Sequence, residues 1–174
     1  MAVLPIVEIP DPSLRLVSKP VDAVDDAVRA LVADMTDTMY HAKGIGLAAI
    51  QVGVPSRVLV IDLQEREGED GRPVRDPRAY INPEVLETSE EVSSYNEGCL
   101  SIPEQYADVE RPARARVRWL DEQGERHEKW LEGLLATCMQ HEIDHLNGVL
   151  FIDHISRLKR DMVLKKLAKL RRAA

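Results

Sequence analysis

Cysteine is nearly missing from this chain: Cys99 and Cys138 are the only two in 174 residues. With so few thiols a disulfide-stapled secreted scaffold is excluded, and the two that exist are read as free thiols or metal ligands in a reducing compartment. No run of about 18 apolar residues occurs, so no membrane-spanning helix is expected. The opening "MAVLPIVEIPDP" has no basic start and is interrupted by Pro5 and Glu8, so it does not read as a secretion signal, and a cytoplasmic protein is expected. Internal repeats and low-complexity tracts are also lacking, which removes solenoids and linkers. Excess positive charge is missing as well: the formal net charge is −7, which argues against a protein built around nucleic acid, and no DNA partner is expected.

The 44% hydrophobic content over 174 residues suits one globular domain, read here as a single catalytic domain over 1–174. Charge is unevenly spread. Between Ser156 and Arg172 stand eight basic residues and one acid, about +7, which leaves about −14 for the rest. Val28, Leu31, Val32, Met35 and Met39 recur at helical spacing, predicting a helix from about Asp25 to Ala42 that Gly44 stops. "SRVLVIDL" reads as a buried strand, the polar stretch "QEREGEDGRPVRDPR" as a surface loop, and "AYINPEVLE" and "EEVSSYNE" as short strands. "ARARVRWL" alternates apolar and basic residues, as a half-buried strand does, and "DEQGE" turns it into a hairpin partner, "RHEKWLEG". Helical periodicity returns from Glu132 to about Leu146 and ends at Asn147-Gly148. Ser156 is placed to cap a last, basic helix over 156–174, with Leu158, Met162, Leu164 and Leu167 as its apolar residues. Strands in runs with helices set apart from them predict an α+β fold: short, mostly antiparallel β-sheets around a central helix, with one helix near each end of the chain.

Five histidines are all the chain has, yet "QHEIDHLNG" (140–148) places two of them four residues apart. On a helix, positions i and i+4 lie on one face, so His141 and His145 can aim both imidazoles at one point. Glu142 borders that face, too poorly placed for a third ligand but near enough to reach a water on the metal. This is the H-E-x-x-H arrangement, two ligands and a base. Its competitor is a solvated polar face. Leu134, Leu135, Cys138 and Met139 make this a core helix, however, and two buried histidines without partners would be costly. A catalytic centre of this kind needs a third protein ligand and one open position. The extended motif that ends in a third histidine fails, because Phe151 stands at that place and cannot ligate; His154 comes three residues too late and reads as a surface or capping residue. Cys99, in the tight segment "NEGCLSIP", is the better candidate. Cys138 competes for the role but shares a helix face with His141, so it is read as lining the pocket.

"GIGLAAIQVG" (44–53) has only the outline of a dinucleotide fingerprint, with no strand before it. Gly44 and Gly46 can instead let an extended ligand lie against the backbone, with Gln51 offering a neutral amide donor.

Taken in order, "GIGLAAIQ", "EGCLSIP" and "QHEIDHLNG" resemble the three signature motifs of the peptide deformylases, and "ADMTDTMY" just before the first adds to the likeness. The resemblance runs from the first helix to the tail, which is similar to that of the bacterial, helix-ended type. It implies Cys99, His141 and His145 as ligands of one divalent ion, Fe2+ by expectation, with Zn2+, Ni2+ or Co2+ acceptable in a purified sample. It implies removal of the formyl group from N-terminal formyl-methionine of new polypeptides, with Glu142 as proton carrier and the Gln51 amide and the Leu100 backbone N–H as oxyanion donors. A peptide is expected to pair edge-on with Ile45 and Gly46, and the methionine pocket to be lined by Leu134 and Cys138. Glu97 and Arg111 are expected to pair and brace the metal loop, with Asp144 joining them. Nascent formyl-Met peptides are the expected partners, and the basic tail adds an expectation of ribosome docking. The rival functions are a zinc-dependent peptidase built on the same helix, and a closed, non-catalytic metal module, which no fourth Cys or His at suitable spacing supports.

Overall fold

The computed structural model describes residues 2–173, so Met1 and the last residue of the expected tail helix, Ala174, lie outside it. Along the chain run α1 (Asp26–His41), β1 (Gly46–Ala48), β2 (Val58–Ile61), β3 (Arg78–Thr88), β4 (Val92–Cys99), β5 (Ile102–Pro112), β6 (Arg114–Leu120), β7 (Arg126–Glu132), α2 (Gly133–Leu146) and α3 (Arg157–Ala173). The fold is α+β. Five strands form one antiparallel sheet in the order β1-β2-β3-β6-β7, and β4 and β5 form a separate two-stranded ribbon.

The sheet lies between two helices, and the alternation of β2 shows how. Val58 and Val60 turn to the α1 side, where Val28, Val32, Met35 and Met39 pack on them. Leu59 and Ile61 turn to the α2 side and meet Ala136, Met139, Ile143 and Leu146. A strand buried on both faces has no need of polar alternation, which is why "VLVI" is uniformly apolar. A third apolar cluster joins Ile9, Leu14, Ile102, Val109 and Leu150–Ile152 to Val163 and Leu167 of α3.

Three details differ from the sequence expectations. Helix α1 does not stop at Gly44: Lys43 takes the left-handed conformation (φ 59°), and the Gly44 N–H reaches back to the Met39 carbonyl at 2.9 Å. Gly44 is small for another reason, since a Cβ there would come 2.7 Å from the Leu100 side chain. Two strands, β1 and β5, stand where none was expected. Of the four apolar residues expected in the tail helix, only Leu167 is buried. Val163 and Leu167 are buried, whereas Leu158 is 72% and Met162 49% exposed. Leu158 and Met162 lie on the side of α3 away from the third cluster, so helical periodicity alone did not identify the docking face.

Candidate metal centre

The late helix supplies two imidazoles and the ribbon supplies a sulfur. α2 packs its apolar side on the sheet, which leaves His141, Glu142 and His145 facing the β4–β5 ribbon; all three are buried. Cys99 ends β4. Its pairing with Ile102 makes a tight turn through Leu100 and Ser101, while Gly98 pairs with Tyr106, so Pro103–Gln105 bulge out of the ribbon. Bulges commonly re-aim a side chain at the end of a strand. Here Cys99 Sγ lies 3.3 Å from His145 Nε2. The ligand atoms of Cys99, His141 and His145 all fall within 4.8 Å of one another. One sulfur and two nitrogens at that separation fit a four-coordinate transition-metal ion that keeps a fourth position open.

Glu142 borders this point, with Oε1 3.6 Å from His141 Nε2. Its Oε2, like His145 Nδ1, is buried with no hydrogen-bond partner among the described residues. Unpaired polar atoms at this depth are costly unless a ligand or water completes them. Gly46 makes room for the carboxylate, since a Cβ there would sit 3.3 Å from Glu142 Cγ and Cδ.

Gln51 sits in the short 3-10 turn Ala49–Val52 that follows β1. Its Oε1 accepts from the Ala48 N–H at 2.9 Å, which points Nε2 at Ser101 Oγ (3.0 Å) and Cys99 Sγ (3.5 Å). Ser101 escaped the sequence reading; its only signal was its place two residues after Cys99. The N-terminal strand-like segment ties the two loops together, because Val7 N–H donates to the Gln51 carbonyl and Ile9 N–H to that of Ser101.

Behind the centre, His141 Nδ1 lies 2.9 Å from Glu97 Oε1, and Arg111 grips Glu97 with both Nε (2.7 Å) and Nη2 (3.0 Å). Arg111 Nη1 donates to Asp144 Oδ2 at 2.8 Å. Burial works against the charge on Glu97, but hydrogen bonds from His141 and Arg111 and the guanidinium charge hold its carboxyl below the ordinary range. Burial likewise opposes the Arg111 charge, and Glu97 and Asp144 outweigh it.

The centre opens into a cavity of about 440 Å³ walled by Gly44–Gly46, Cys99–Leu100, Tyr106, Thr137 and Cys138. Cys138 lines it, as expected. Burial, then the charges of Glu142 and Glu97, push its thiol up to about 12, and its sulfur is not one of the donor atoms that converge with His141 and His145. Leu134 does not line it: half-buried, it lies one helical turn before Cys138, and the cavity wall on α2 ends at Thr137.

A Cys-His-His set with both imidazoles buried and the thiol half-buried, next to a glutamate with one unsatisfied oxygen, fits a hydrolytic metal centre of the H-E-x-x-H class. The sequence signature of the family described as "Polypeptide deformylase" matches residues 3–161. The peptide deformylase of Rhizorhabdus wittichii is 70% identical over 173 residues, covering 99% of this chain and 98% of that protein. That of Novosphingobium aromaticivorans is 59% identical over the whole of both chains. The crystal structure of a peptide deformylase from Legionella pneumophila superposes with a TM-score of 0.88 at 43% identity, covering 99% of this chain and 97% of that one. The chain belongs to the polypeptide deformylase family, metal-dependent hydrolases that remove the N-formyl group from nascent peptides.

Protonation of the donors sets a pH dependence. Burial lowers the basicity of His141, but hydrogen bonds with Cys99 and Glu97 and the charge of Glu142 overcome it and raise the imidazole to about 10 in the metal-free protein. Burial and the neighbouring His141 charge push His145 well down, so it is neutral. Only a neutral imidazole ligates, so if His141 is to hold a metal ion at neutral pH its proton must be expelled. Since the folded value lies above neutrality, apparent affinity is expected to rise with pH, by up to about tenfold per unit for each proton expelled. Calorimetry of anaerobic metal titrations in buffers of different ionisation enthalpy should show proton release at pH 7; an affinity independent of pH between 6 and 8 would contradict it.

Proposed function

We propose that Cys99, His141 and His145 hold one divalent ion, and that Glu142, Gln51 and the Leu100 N–H carry out deformylation around it. The observation supporting this most directly is the approach of three donor atoms to within 4.8 Å beside a glutamate with one unsatisfied oxygen. When bound, the ion polarises the formyl carbonyl and makes an adjoining water a stronger acid.

Glu142 accepts the water proton as the oxygen attacks the formyl carbon. In the metal-free protein burial, with the Glu97 charge opposed by His141 and Arg111, pushes its carboxyl up to about 7, and a carboxylate raised by its surroundings is a stronger proton acceptor. The Gln51 amide and the Leu100 N–H donate to the oxygen that gains negative charge, and Ala48 and Ser101 fix the amide's direction beforehand. Glu142 then protonates the departing nitrogen; the C–N bond breaks, and formate and a free amino terminus leave.

The peptide lies along Ile45 and Gly46. β1 is the edge strand of the five-stranded sheet, and its first residue, Gly46, walls the cavity together with Gly44 and Ile45 just before it, so its outer side can accept one more strand. Thr137 and Cys138 border the methionine side chain. Family membership favours formyl removal over the cleavage of internal peptides. Thiolate and imidazole donors accept iron, zinc, nickel or cobalt; iron is our choice for the physiological ion on the strength of the family resemblance. No helix among the described residues is long and apolar enough to cross a membrane, and action on new polypeptides fits the cytoplasm.

The tail supports a second role. Val163 and Leu167 fasten α3 to the body while Lys165, Lys166 and Lys169 remain exposed, a basic face on an otherwise acidic chain that suits ribosomal RNA.

Glu142→Ala is expected to keep its metal and lose more than about 100-fold in formate release from formyl-Met peptides; turnover near that of the unaltered protein would remove Glu142 as proton carrier. Changing Lys165, Lys166 and Lys169 together to Glu should abolish salt-sensitive cosedimentation with ribosomes and leave peptide turnover intact. Unchanged cosedimentation would end the docking role.

A further inference from the structure

The brace behind His141 does not end at Asp144. His154 Nε2 lies 2.7 Å from Asp144 Oδ2, the same oxygen that accepts from Arg111 Nη1. A carboxylate oxygen only accepts, so His154 presents an N–H there. Contacts therefore run without a break from a surface imidazole to the buried one: His154, Asp144, Arg111, Glu97, His141. Exposure falls along the first four of these residues. The side chains of His154 and Asp144 are 35% and 24% exposed, those of Arg111 and Glu97 5% and 4%.

His154 is also the most firmly anchored of the outer pair. It ends the 3-10 turn Phe151–His154. Phe151 is buried, and its ring stacks against His141 with centroids 6.2 Å apart and planes 23° apart. Asp153 accepts from the Leu150 N–H at 3.0 Å and pairs with Arg15. The turn is thus held by the core and by an ion pair, whereas Asp144 projects from α2 toward a cavity of about 450 Å³ walled by Arg57, Arg111, Asn147 and His154. Among the described residues the Asp144 carboxylate has two side-chain partners, Arg111 and His154, so without the imidazole only the Arg111 contact keeps it from turning into the cavity.

We propose that His154 is a positioning residue for His141: it fixes Asp144 on Arg111, Arg111 thereby stays square on Glu97, and Glu97 holds the His141 ring in the orientation in which Nε2 meets the ion. This rests on the reading of His141 as a metal ligand. An isolated, half-exposed His–Asp pair would be worth little. The effect here comes from what stands behind Asp144, because partners that orient a ligating histidine alter the metal's affinity and reactivity.

The test uses the cobalt-loaded holoprotein. Partners that orient a ligand directly are typically worth 10–100-fold, so His154→Phe, several contacts further out, is expected to speed metal loss to a chelator by about 3–10-fold. It should also shift the visible Co2+ absorption and lower kcat with KM unchanged. His154→Gln, whose amide N–H can reach Asp144, should restore all three. In an Asp144→Ala background, His154→Phe should add nothing. A His154→Phe protein with unaltered metal loss and spectrum overturns the inference, and so does an effect that persists undiminished in the Asp144→Ala background. Should His141→Ala keep full metal content, the ligand assignment itself fails and this inference with it; full loss of metal in His141→Ala beside a silent His154→Phe sinks the positioning role alone.

Discussion

A sulfur and two nitrogens from stretches about forty residues apart must meet within 5 Å, and the local structure of neither stretch brings this about. A helix can set His141 beside His145, but it cannot summon Cys99. The meeting depends on the end of the β4–β5 ribbon being held against α2. The tie that does this is ionic and buried: Arg111 from β5 binds Glu97 from β4 and Asp144 from α2, while Glu97 also takes the outer nitrogen of His141. Buried ion pairs add little net stability compared with apolar packing, but removing one partner strands the others in a place with no water. The arrangement is therefore better at specifying one position of the ribbon than at strengthening the fold.

Apolar packing supplies the frame for that tie. The sheet between α1 and α2 fixes the axis of α2, and the third cluster under α3 fixes Ile102 and Val109 of the ribbon. Between these frames lies a seam of buried polar groups: Gln51, Glu97, Ser101, Arg111, His141, Glu142 and His145. Most of them hold one another. The exceptions among the described residues are one oxygen of Glu142, which borders the cavity, and Nδ1 of His145, whose other nitrogen faces Cys99. Glu97 holds His141 from behind and Ala48 and Ser101 hold Gln51, so these two side chains are aimed before any ligand arrives.

What the sequence revealed follows from how each feature is encoded. Helix α2 and its facing histidines were legible because helical geometry alone converts a four-residue spacing into proximity. The central strands were legible from β-branched runs. Strand β5 was not, because two of its inward positions are Gln105, which lines the cavity, and Arg111, which is held by Glu97 and Asp144, and both by composition belong on a surface. Strand β1 is three residues long and exists through its pairing with β2, so no local pattern marks it. The tail misled for a related reason: Leu158 with Met162 and Val163 with Leu167 are two apolar pairs at the same spacing, and only the surface they meet decides between them. Cys99 could be preferred on chemistry, but its distance from the imidazoles had to come from tertiary structure. The partner of His154 was hidden too, since Asp144 precedes it across the turn at Gly148.

The central claim is that one sulfur and two imidazole nitrogens bind a single ion. X-ray absorption at the metal edge of the anaerobically loaded protein measures this directly. The account predicts one sulfur scatterer at about 2.3 Å beside nitrogen or oxygen neighbours at about 2.0–2.1 Å, with the sulfur lost in Cys99→Ser. A spectrum with no sulfur neighbour, or one that Cys99→Ser leaves unchanged, would contradict it.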